Sequence, residues 1–238
     1  MTSNADIAIV IPVLDDAAAL RALLARVRDW PTQPAQIRIV PGAPSADIAT
    51  VCRDFGCDIT VSRPRRGEQL DAGARATTPT AIWFVHADAE PRASSLEAIA
   101  AALAAGAESG CFRFEFAGRP SWMKRMIARG VAARLYCGGI PYGDQGLWTT
   151  RAAYDACGGF AHEPLFEEVL LVKRLRKRGT FVVLDEPLGV SPRRWERDGW
   201  LQRCAANRLL ALGHAVGISP ARLAARYYDP HLVEDRSQ

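Results

Sequence analysis

The chain has 238 residues, enough for one sizeable domain with a well-buried core. Apolar residues make up 49% and charged residues 24%, which excludes a largely disordered chain or a membrane channel and is typical of a folded, soluble protein. Of the 30 basic residues 27 are arginines, whose planar forks suit phosphate and carboxylate groups.

The charge is unevenly distributed along the chain. Residues 1–118 hold 11 basic and 14 acidic side chains, a net charge of −3, whereas residues 119–238 hold 19 and 12, a net charge of +7. The cationic half suits a phosphorylated ligand or an anionic membrane surface. Because the chain has no basic–aromatic repeat and no known nucleic-acid motif, we expect no nucleic-acid partner.

The cysteines and the N-terminus indicate a compartment. The most apolar stretches, residues 7–14 and 81–85, are strand-sized, and the N-terminus lacks the basic region and long apolar run of an export signal. Six scattered cysteines form no CxxC pair, which argues against a zinc site or a disulfide framework. We therefore expect a reducing cytoplasm, with the cysteines mostly in the core.

Strand and helix patterns alternate through the first half of the chain. Residues 7–11 are a continuous apolar run, as in a strand buried on both faces, and residues 17–29 follow with leucines at helical spacing. The alternation recurs three times: 36–40 then 46–55, 58–61 then 69–76, and 81–85 then 94–105. Four such units predict an α/β fold with a mainly parallel central sheet flanked by helices, whose ligands bind beyond the carboxyl ends of the strands.

This regular alternation stops in the second half. We predict strands at 111–116, 147–149 and 181–184, helices at 121–136 and 166–178, and mostly helix from 198 to 228. Since no flexible linker separates the two halves, we predict a single domain over residues 1–238.

A possible metal ligand follows the most hydrophobic predicted strand. His86-Ala87-Asp88 comes directly after it, so the Asp88 carboxylate would project at the ligand-binding edge of the sheet. Mg²⁺ or Mn²⁺ needs few protein ligands where phosphate oxygens complete its shell. The alternative is that Asp88 only turns the chain and caps the next helix.

Two acidic residues open the predicted helix at 166–178. Glu167 or Glu168 could remove a proton from an attacking hydroxyl group, or both could simply complement the helix dipole. The spacing alone leaves both interpretations open.

Two basic segments and one polar loop are further candidates. The segment 193–197, RRWER, could neutralise a departing diphosphate through its arginines and offer Trp195 as the wall of a pocket, or it could be a solvated surface. Arg65 and Arg66 precede a helix, where backbone N–H groups attract anions. The loop 141–146, PYGDQG, has glycines that permit a close approach by a ligand, or it is a connecting turn.

Seven segments in this order resemble those of family-2 glycosyltransferases. They are IPVLDD at 11–16, RGEQLDAG at 66–73, HAD at 86–88, PYGDQG at 141–146, GGF at 158–160, LFEEV at 165–169 and RRWER at 193–197. The similarity runs through nearly the whole chain and is closest to a bacterial subgroup labelled radical-SAM/selenodomain-associated transferase. It implies the A-type fold of nucleotide-diphospho-sugar transferases, with donor binding in residues 1–118 and acceptor binding in residues 119–238.

The resemblance also implies roles for particular residues. The family's Asp-x-Asp element, which holds a divalent metal against the diphosphate, corresponds to His86 and Asp88, so the expected cofactor is Mg²⁺ or Mn²⁺. The implied catalytic residues are Glu168 as the general base, Glu167, Asp144, Arg194 and Trp195. The implied donor-binding residues are Pro12, Asp15, Asp16, Arg66, Gln69, Asp71, His86 and Asp88.

Five positions depart from the family pattern. Histidine stands at 86 for the first metal-binding aspartate, and Pro41 stands where relatives commonly have an aspartate that contacts the donor base. Asp15-Asp16 replaces Asn-Glu, and Asp71 replaces an asparagine. These changes leave the donor base open.

We expect a metal-assisted, inverting transfer of a sugar from a nucleotide-diphospho-sugar to an acceptor that the sequence does not identify. The alternative is a catalytically silent nucleotide-sugar-binding protein that acts through a partner. The stripe Trp122, Met123, Met126 and Ile127, beside Lys124, Arg125 and Arg129, is consistent with a lipid-linked acceptor and peripheral contact at the inner face of the membrane, or it packs on the core. Homodimer formation stays open.

Overall fold

The computed structural model describes residues 3–227 of the chain. In this range seven strands form one sheet: β1 (Ser3–Val13), β2 (Thr32–Pro41), β3 (Asp58–Ile59), β4 (Ala81–Phe84), β5 (Ser109–Phe116), β6 (Trp148–Thr150) and β7 (Phe181–Val190). Ten α-helices accompany it: α1 (Ala17–Arg28), α2 (Ala46–Phe55), α3 (Arg66–Arg75), α4 (Ser95–Ala104), α5 (Trp122–Tyr136), α6 (Arg151–Ala156), α7 (Glu167–Arg178), α8 (Arg193–Asp198), α9 (Trp200–Ala215) and α10 (Pro220–Tyr227).

The sheet has the strand order β3-β2-β1-β4-β6-β5-β7. The pairs β1–β2, β1–β4, β2–β3 and β5–β7 are parallel, and only the short β6 runs antiparallel to its neighbours β4 and β5. The predicted α/β fold with a mainly parallel sheet is thus confirmed. The carboxyl ends of β1, β4 and β5 meet at one edge of the sheet.

Helices cover both faces of the sheet, and β1 supplies side chains to each. Ile9 and Ile11 pack with the apolar sides of α1, α2 and α4, whereas Val10, between them, packs with α3, α6 and α7. This is the period-2 alternation of a strand, with both sets of side chains buried. The continuous apolar run at 7–11 therefore predicts the observed environment correctly.

Local capping explains where several helices begin. The side chains of Asp16, Ser45, Ser121 and Thr150 each accept a hydrogen bond from the backbone three residues on. Gly56 ends α2 in the left-handed conformation that glycine adopts at little cost. The predicted boundaries of α1, α2 and α5 are close to the observed ones.

The remaining boundaries differ from the prediction in specific ways. Helix α3 begins at Arg66, three residues before the predicted start at 69, and β7 continues to Val190, beyond the predicted end at 184. The sequence prediction missed α6 and did not make RRWER helical, although residues 193–198 form α8. The predicted helical C-terminus is confirmed as α9 and α10, and Tyr228 lies outside the described residues.

The six cysteines differ in burial, and no two of them are joined by a disulfide. Cys52, Cys111 and Cys157 are buried, Cys57 and Cys204 are partly buried, and Cys137 is exposed; all six are free thiols. Among residues 3–227, none of the helices combines the length and the apolar character that crossing a membrane requires.

Candidate active site

The candidate site lies where the start of α7 meets the carboxyl end of β4. Phe166, which precedes α7, has a φ of 63°, and no other non-glycine residue in the described range has a positive φ. A bulky residue in this region carries backbone strain, which is held here by ring contacts with Tyr142 at 5.9 Å and His214 at 4.6 Å. The bend at Phe166 turns Glu167 and Glu168 inward, so that both are buried.

Glu167 is held by an ion pair across the site. Its Oε1 accepts a hydrogen bond from Nε of Arg66, the first residue of α3, and its side chain is only 1% exposed. The backbones meet closely because Gly67 faces α7: a Cβ on Gly67 would lie 2.3 Å from the Ala161 carbonyl oxygen and 3.0 Å from the Glu167 Cβ. Only glycine fits here without displacing backbone.

Replacing Gly67 with alanine should therefore destabilise the protein, because α3 must move away from the 161–167 segment. We expect a loss of about 1–3 kcal/mol in the free energy of unfolding, measured by chemical denaturation. Gly130→Ala is the matched control, since Gly130 lies in α5 with open space around it. That change should add about 0.5–1 kcal/mol through helix propensity, and equal effects of the two changes would contradict the close contact.

Glu168 is a buried carboxylate with one oxygen atom that has no hydrogen-bond partner among the described residues. It is 3% exposed, and its Oε2 atom has no partner among the described residues. Burial, and then the adjacent charge of Glu167, raise the pKa of Glu168 to about 8, while Arg66 opposes this shift. Below this pKa the group is mostly protonated, whereas above it the carboxylate is strongly basic and can accept a proton from a hydroxyl group, as a general base does.

A small cavity of about 10 Å³ lies beside Glu168, about the size that one water molecule occupies. Its wall includes Glu167, His86, Tyr142 and Gly143. The His86 Nε2 would lie 3.1 Å from a Cβ on Gly143, so the imidazole ring and the 143–145 turn are in close contact. The start of α7, the 143–145 turn and the end of β4 therefore share one cavity.

The electrostatics of His86 keep its imidazole neutral. Burial, followed by the charges of Arg66 and Arg194, lowers the pKa of His86 to about 3. A neutral imidazole has a lone pair available, but His86 carries no negative charge with which to balance a divalent cation.

The charge of Asp144 interacts with both predicted acidic residues, Asp88 and Glu168. Burial raises the pKa of Asp144, Arg134 and Arg66 oppose this, and the charge of Asp88 adds to it. The charge of Asp144 in turn raises the pKa of Glu168. Asp88 thus acts on Asp144, and Asp144 acts on Glu168.

Asp88 faces a second, larger space. It is exposed and lines a cleft of about 720 Å³ between one side of α1, the start of α5 and the segment 191–200. His86 and Asp88, predicted together as metal ligands, thus border different cavities. In the described part of the chain, no cluster of three or more His, Cys, Asp or Glu side chains is arranged to hold a metal.

This donor set still fits a divalent cation bound jointly with a diphosphate. The one exposed carboxylate, Asp88, leaves most of the coordination shell to phosphate oxygens and water, whereas His86 borders the other cavity. Mg²⁺ and Mn²⁺ both accept oxygen ligands of this kind. Asp88 would be the principal protein ligand.

The RRWER segment lies near the same edge of the sheet. Arg193 is 3.5 Å from Asp16, and Arg194 donates a hydrogen bond of 2.9 Å to the Tyr227 hydroxyl. Trp195 packs edge-on against Phe116 at 5.3 Å and stacks with Trp200 at 5.9 Å. Arg194 lies within electrostatic reach of His86, whereas Trp195 belongs to an aromatic cluster beside the large cleft.

Two of the predicted donor-binding residues tie structural elements together. The Gln69 amide donates to the carbonyls of Val13 and Val40, joining the ends of β1 and β2. Asp71 accepts a hydrogen bond from the Tyr154 hydroxyl at 2.9 Å and pairs with Arg75 and His162, which lowers its pKa against the effect of burial. Neither residue lines the two cavities, so their contact with a donor stays a prediction.

The remaining predicted donor-binding residues lie at the end of β1. Pro12 is partly buried beside Val40, Asp15 is exposed, and Asp16 caps α1 through Ala19. Their position at the carboxyl edge is the expected one for ligand binding.

Sequence reasoning missed Tyr142 and Gly143 as site residues. Both line the small cavity, and Tyr142 is held by Arg134, whose guanidinium lies 4.5 Å from its ring centroid. Arg134 also donates to Gln145 at 3.0 Å, fixing the 143–145 turn. The PYGDQG segment was the available signal, but a pattern does not show which of its side chains face inward.

A mainly parallel sheet with this site at its carboxyl edge is the architecture of A-type nucleotide-sugar transferases. The structure is similar to the mannosyltransferase PcManGT from Pyrobaculum calidifontis in complex with GDP-Man and Mn²⁺, with a TM-score of 0.65 and 14% identity over 96% of this chain and 71% of that one. It is also similar to glucosyl-3-phosphoglycerate synthase from Mycobacterium tuberculosis in complex with Mn²⁺, UDP and glucosyl-3-phosphoglycerate, with a TM-score of 0.57 and 17% identity over 76% and 70%. A third similar structure, S. aureus TarS 1–349 with UDP-GlcNAc, has a TM-score of 0.61 and 13% identity over 80% and 58%.

The family follows from the sequence itself. Residues 8–165 match the model of glycosyl transferase family 2, so the chain belongs to that family and is a glycosyltransferase. No curated protein sequence matches it.

Proposed function

We propose that this glycosyltransferase moves a sugar from a nucleotide-diphospho-sugar to an acceptor hydroxyl group with inversion at the anomeric carbon, and that Glu168 is the general base. The observation that carries the proposal is the buried Glu168 carboxylate, whose Oε2 has no partner and which faces a cavity shared with His86. The solved structures similar to this chain hold UDP, UDP-GlcNAc or GDP-Man, and two of them hold Mn²⁺, which supports a nucleotide-sugar donor and a divalent metal.

The proton transfer begins at the acceptor hydroxyl group. Glu168 Oε2 would accept the proton as the acceptor oxygen forms its bond to the anomeric carbon and the bond to the diphosphate oxygen breaks. Glu167 cannot readily serve instead, because its Oε1 is engaged by Arg66. Its role in the proposal is to position Arg66 and to keep Glu168 basic through like-charge repulsion.

The leaving diphosphate would be stabilised by positive charge at the edge of the sheet. Arg66 and His86 both lie against Gly143, and the positive charge of Arg194 also lowers the pKa of His86. Asp88 would hold a divalent metal, with phosphate oxygens and water as the other ligands, and the metal would supply additional charge neutralisation for the departing diphosphate. Asp144, Trp195 and the end of β1 would complete the walls of the site.

We also propose where the donor and the acceptor bind and what the acceptor is. Residues 1–118 would bind the donor and residues 119–238 the acceptor, within one domain in the cytoplasm. The acceptor we favour is lipid-linked, and the exposed Trp122 and Met126 beside the exposed Arg125 and Arg129 on α5 support that choice.

The proposal is tested by incubating the protein with a panel of UDP- and GDP-sugars and Mn²⁺, with water as the acceptor, and measuring release of the nucleoside diphosphate. We expect one donor to be hydrolysed slowly, and Asp88→Asn to weaken Mn²⁺-dependent nucleotide binding by about tenfold or more in calorimetry. Glu90→Gln, at an exposed position in the same turn, is the control and should bind normally. Binding without release by the wild type would favour the silent binding protein, and equal affinity of the Asp88 variant would remove Asp88 from the metal site.

A further inference from the structure

Helix α9 presents an apolar stripe to solvent. Leu201 is 77% exposed, Leu209 and Leu212 are each 61% exposed, and Val216 is 70% exposed. With spacings of eight, three and four residues, these side chains lie along one side of the helix. A stripe of large aliphatic side chains of this length is unusual on a surface that contacts only water.

The opposite side of α9 is already packed against the protein. Gly213 is buried, and a Cβ there would lie 3.1 Å from Leu223 of α10. Leu210 joins Leu165, Leu223 and Ala224 in a small apolar cluster. The exposed stripe is therefore the outer face of a helix whose inner face packs normally.

Helix α5 has a similar outer face. Trp122 is 63% exposed, Met126 61% and Tyr136 94%, and the exposed Arg125 and Arg129 lie between them. Of the whole helix only Leu135 is buried. The sequence left open whether the apolar residues of this helix pack on the core; Trp122 and Met126 do not.

The segments that contain these helices carry no acidic residues. The sequence has no Asp or Glu from 116 to 143 or from 199 to 228, although these stretches contain five and four Lys or Arg residues respectively. On the stripes themselves Arg125, Arg129 and Arg208 are exposed. Apolar side chains mixed with cations alone are typical of surfaces that bind an anionic bilayer.

The two helices begin at the same cleft. Trp122, at the start of α5, and Trp200, at the start of α9, both line the cleft that Asp88 borders. A membrane that contacts both outer faces would therefore adjoin the opening of the candidate active site.

From these features we propose that the outer faces of α9 and α5 dock on an anionic lipid bilayer. A second copy of the chain is a poorer occupant, because a symmetric contact would bring two acid-free, cationic surfaces together. The apolar stripe would enter the interfacial region, and the arginines would contact lipid phosphates. This inference concerns binding alone and does not depend on the chemistry proposed for Glu168.

Vesicle flotation tests the surface. The wild-type protein should bind vesicles of phosphatidylcholine with phosphatidylglycerol, bind vesicles of phosphatidylcholine alone much more weakly, and dissociate as salt is raised. Leu209→Gln/Leu212→Gln and Arg125→Glu/Arg129→Glu should each lower binding by about tenfold or more, the first by removing apolar contact and the second by removing charge attraction.

Matched controls lie elsewhere on the surface. Val183→Gln changes a 42%-exposed apolar residue on β7, and Lys177→Glu changes an exposed cation on α7; both variants should bind like the wild type. Absence of wild-type binding to anionic vesicles, or equal loss in variants and controls, would overturn the proposal. So would light scattering that shows a wild-type dimer dissociated by Leu209→Gln/Leu212→Gln, because the stripe would then be a subunit interface.

Discussion

Glu168→Gln should lower the rate of sugar transfer by about a thousandfold while nucleotide binding in the presence of Mn²⁺ stays within about twofold of the wild type. Glutamine keeps the size of the side chain but cannot accept the proton of the attacking hydroxyl group. The rate is measured as release of nucleoside diphosphate from the preferred donor. An unchanged rate would remove Glu168 from the reaction.

The control for this change is Glu163→Gln, which alters an exposed carboxylate in the segment leading to α7. It should react at the wild-type rate. Thermal unfolding at alkaline pH shows whether a lower rate comes from a less stable protein. Glu168→Gln should unfold at the same temperature as the wild type or at a higher one, because the variant no longer buries a charge beside Glu167.

The second large effect is expected at the Arg66–Glu167 ion pair. Arg66→Met should lower the free energy of unfolding by about 3 kcal/mol, because it leaves the carboxylate of Glu167, only 1% exposed, without its cationic partner. The double variant Arg66→Met/Glu167→Gln should recover most of that loss, since neither buried charge then remains. Chemical denaturation of the wild type, both single variants and the double variant gives the coupling energy.

The cycle separates the coupling energy of the Arg66–Glu167 pair from the effect that each substitution has on its own. Arg65→Met is the matched control, because Arg65 is exposed and its acidic partner, Glu68, lies only three residues further along the chain. It should cost less than about 1 kcal/mol. Additive losses in the double variant would show that Arg66 and Glu167 do not act as a pair.

The sequence pattern predicted the parallel part of the sheet well, because strands that are buried on both faces read as continuous apolar runs. Residues 7–11 and 81–85 are apolar throughout, and both β1 and β4 are covered on two faces by helices. Helix α6 was missed because six residues are too few to show a helical period. The start of α3 was placed too late because Arg66 and Gly67 give no apolar signal, although tertiary contact with α7 holds them in the helix.

The candidate site was predicted in its residues more than in its geometry. The resemblance implied Glu167, Glu168, His86 and Asp88 as site residues, and in the structure Glu167, Glu168 and His86 line the small cavity while Asp88 lines the larger cleft. It did not reveal that Glu167 is paired with Arg66 while Glu168 is not, because that difference depends on the backbone bend at Phe166. A positive φ at a phenylalanine has no signature in a single sequence.

The sequence also did not reveal that the side chains of His86 and Asp88 face different cavities. Residues two apart after a strand can turn toward different spaces, and here the 143–145 turn packs on His86 while Asp88 borders the cleft beside α5. Likewise, the stripe on α5 was compatible with the core or with the surface. Only the packing of the helix decides between such alternatives, because amphipathic spacing does not say which face has a partner.

The pH dependence of kcat/KM tests the role of Glu168 most directly. The base must be deprotonated in the free enzyme, and burial with the neighbouring Glu167 raises its pKa to about 8. We therefore predict that kcat/KM rises about tenfold per pH unit from roughly pH 6 and levels off above about pH 8, and that Glu168→Gln removes this rise. A wild-type profile that is flat or falling over this range would contradict the account.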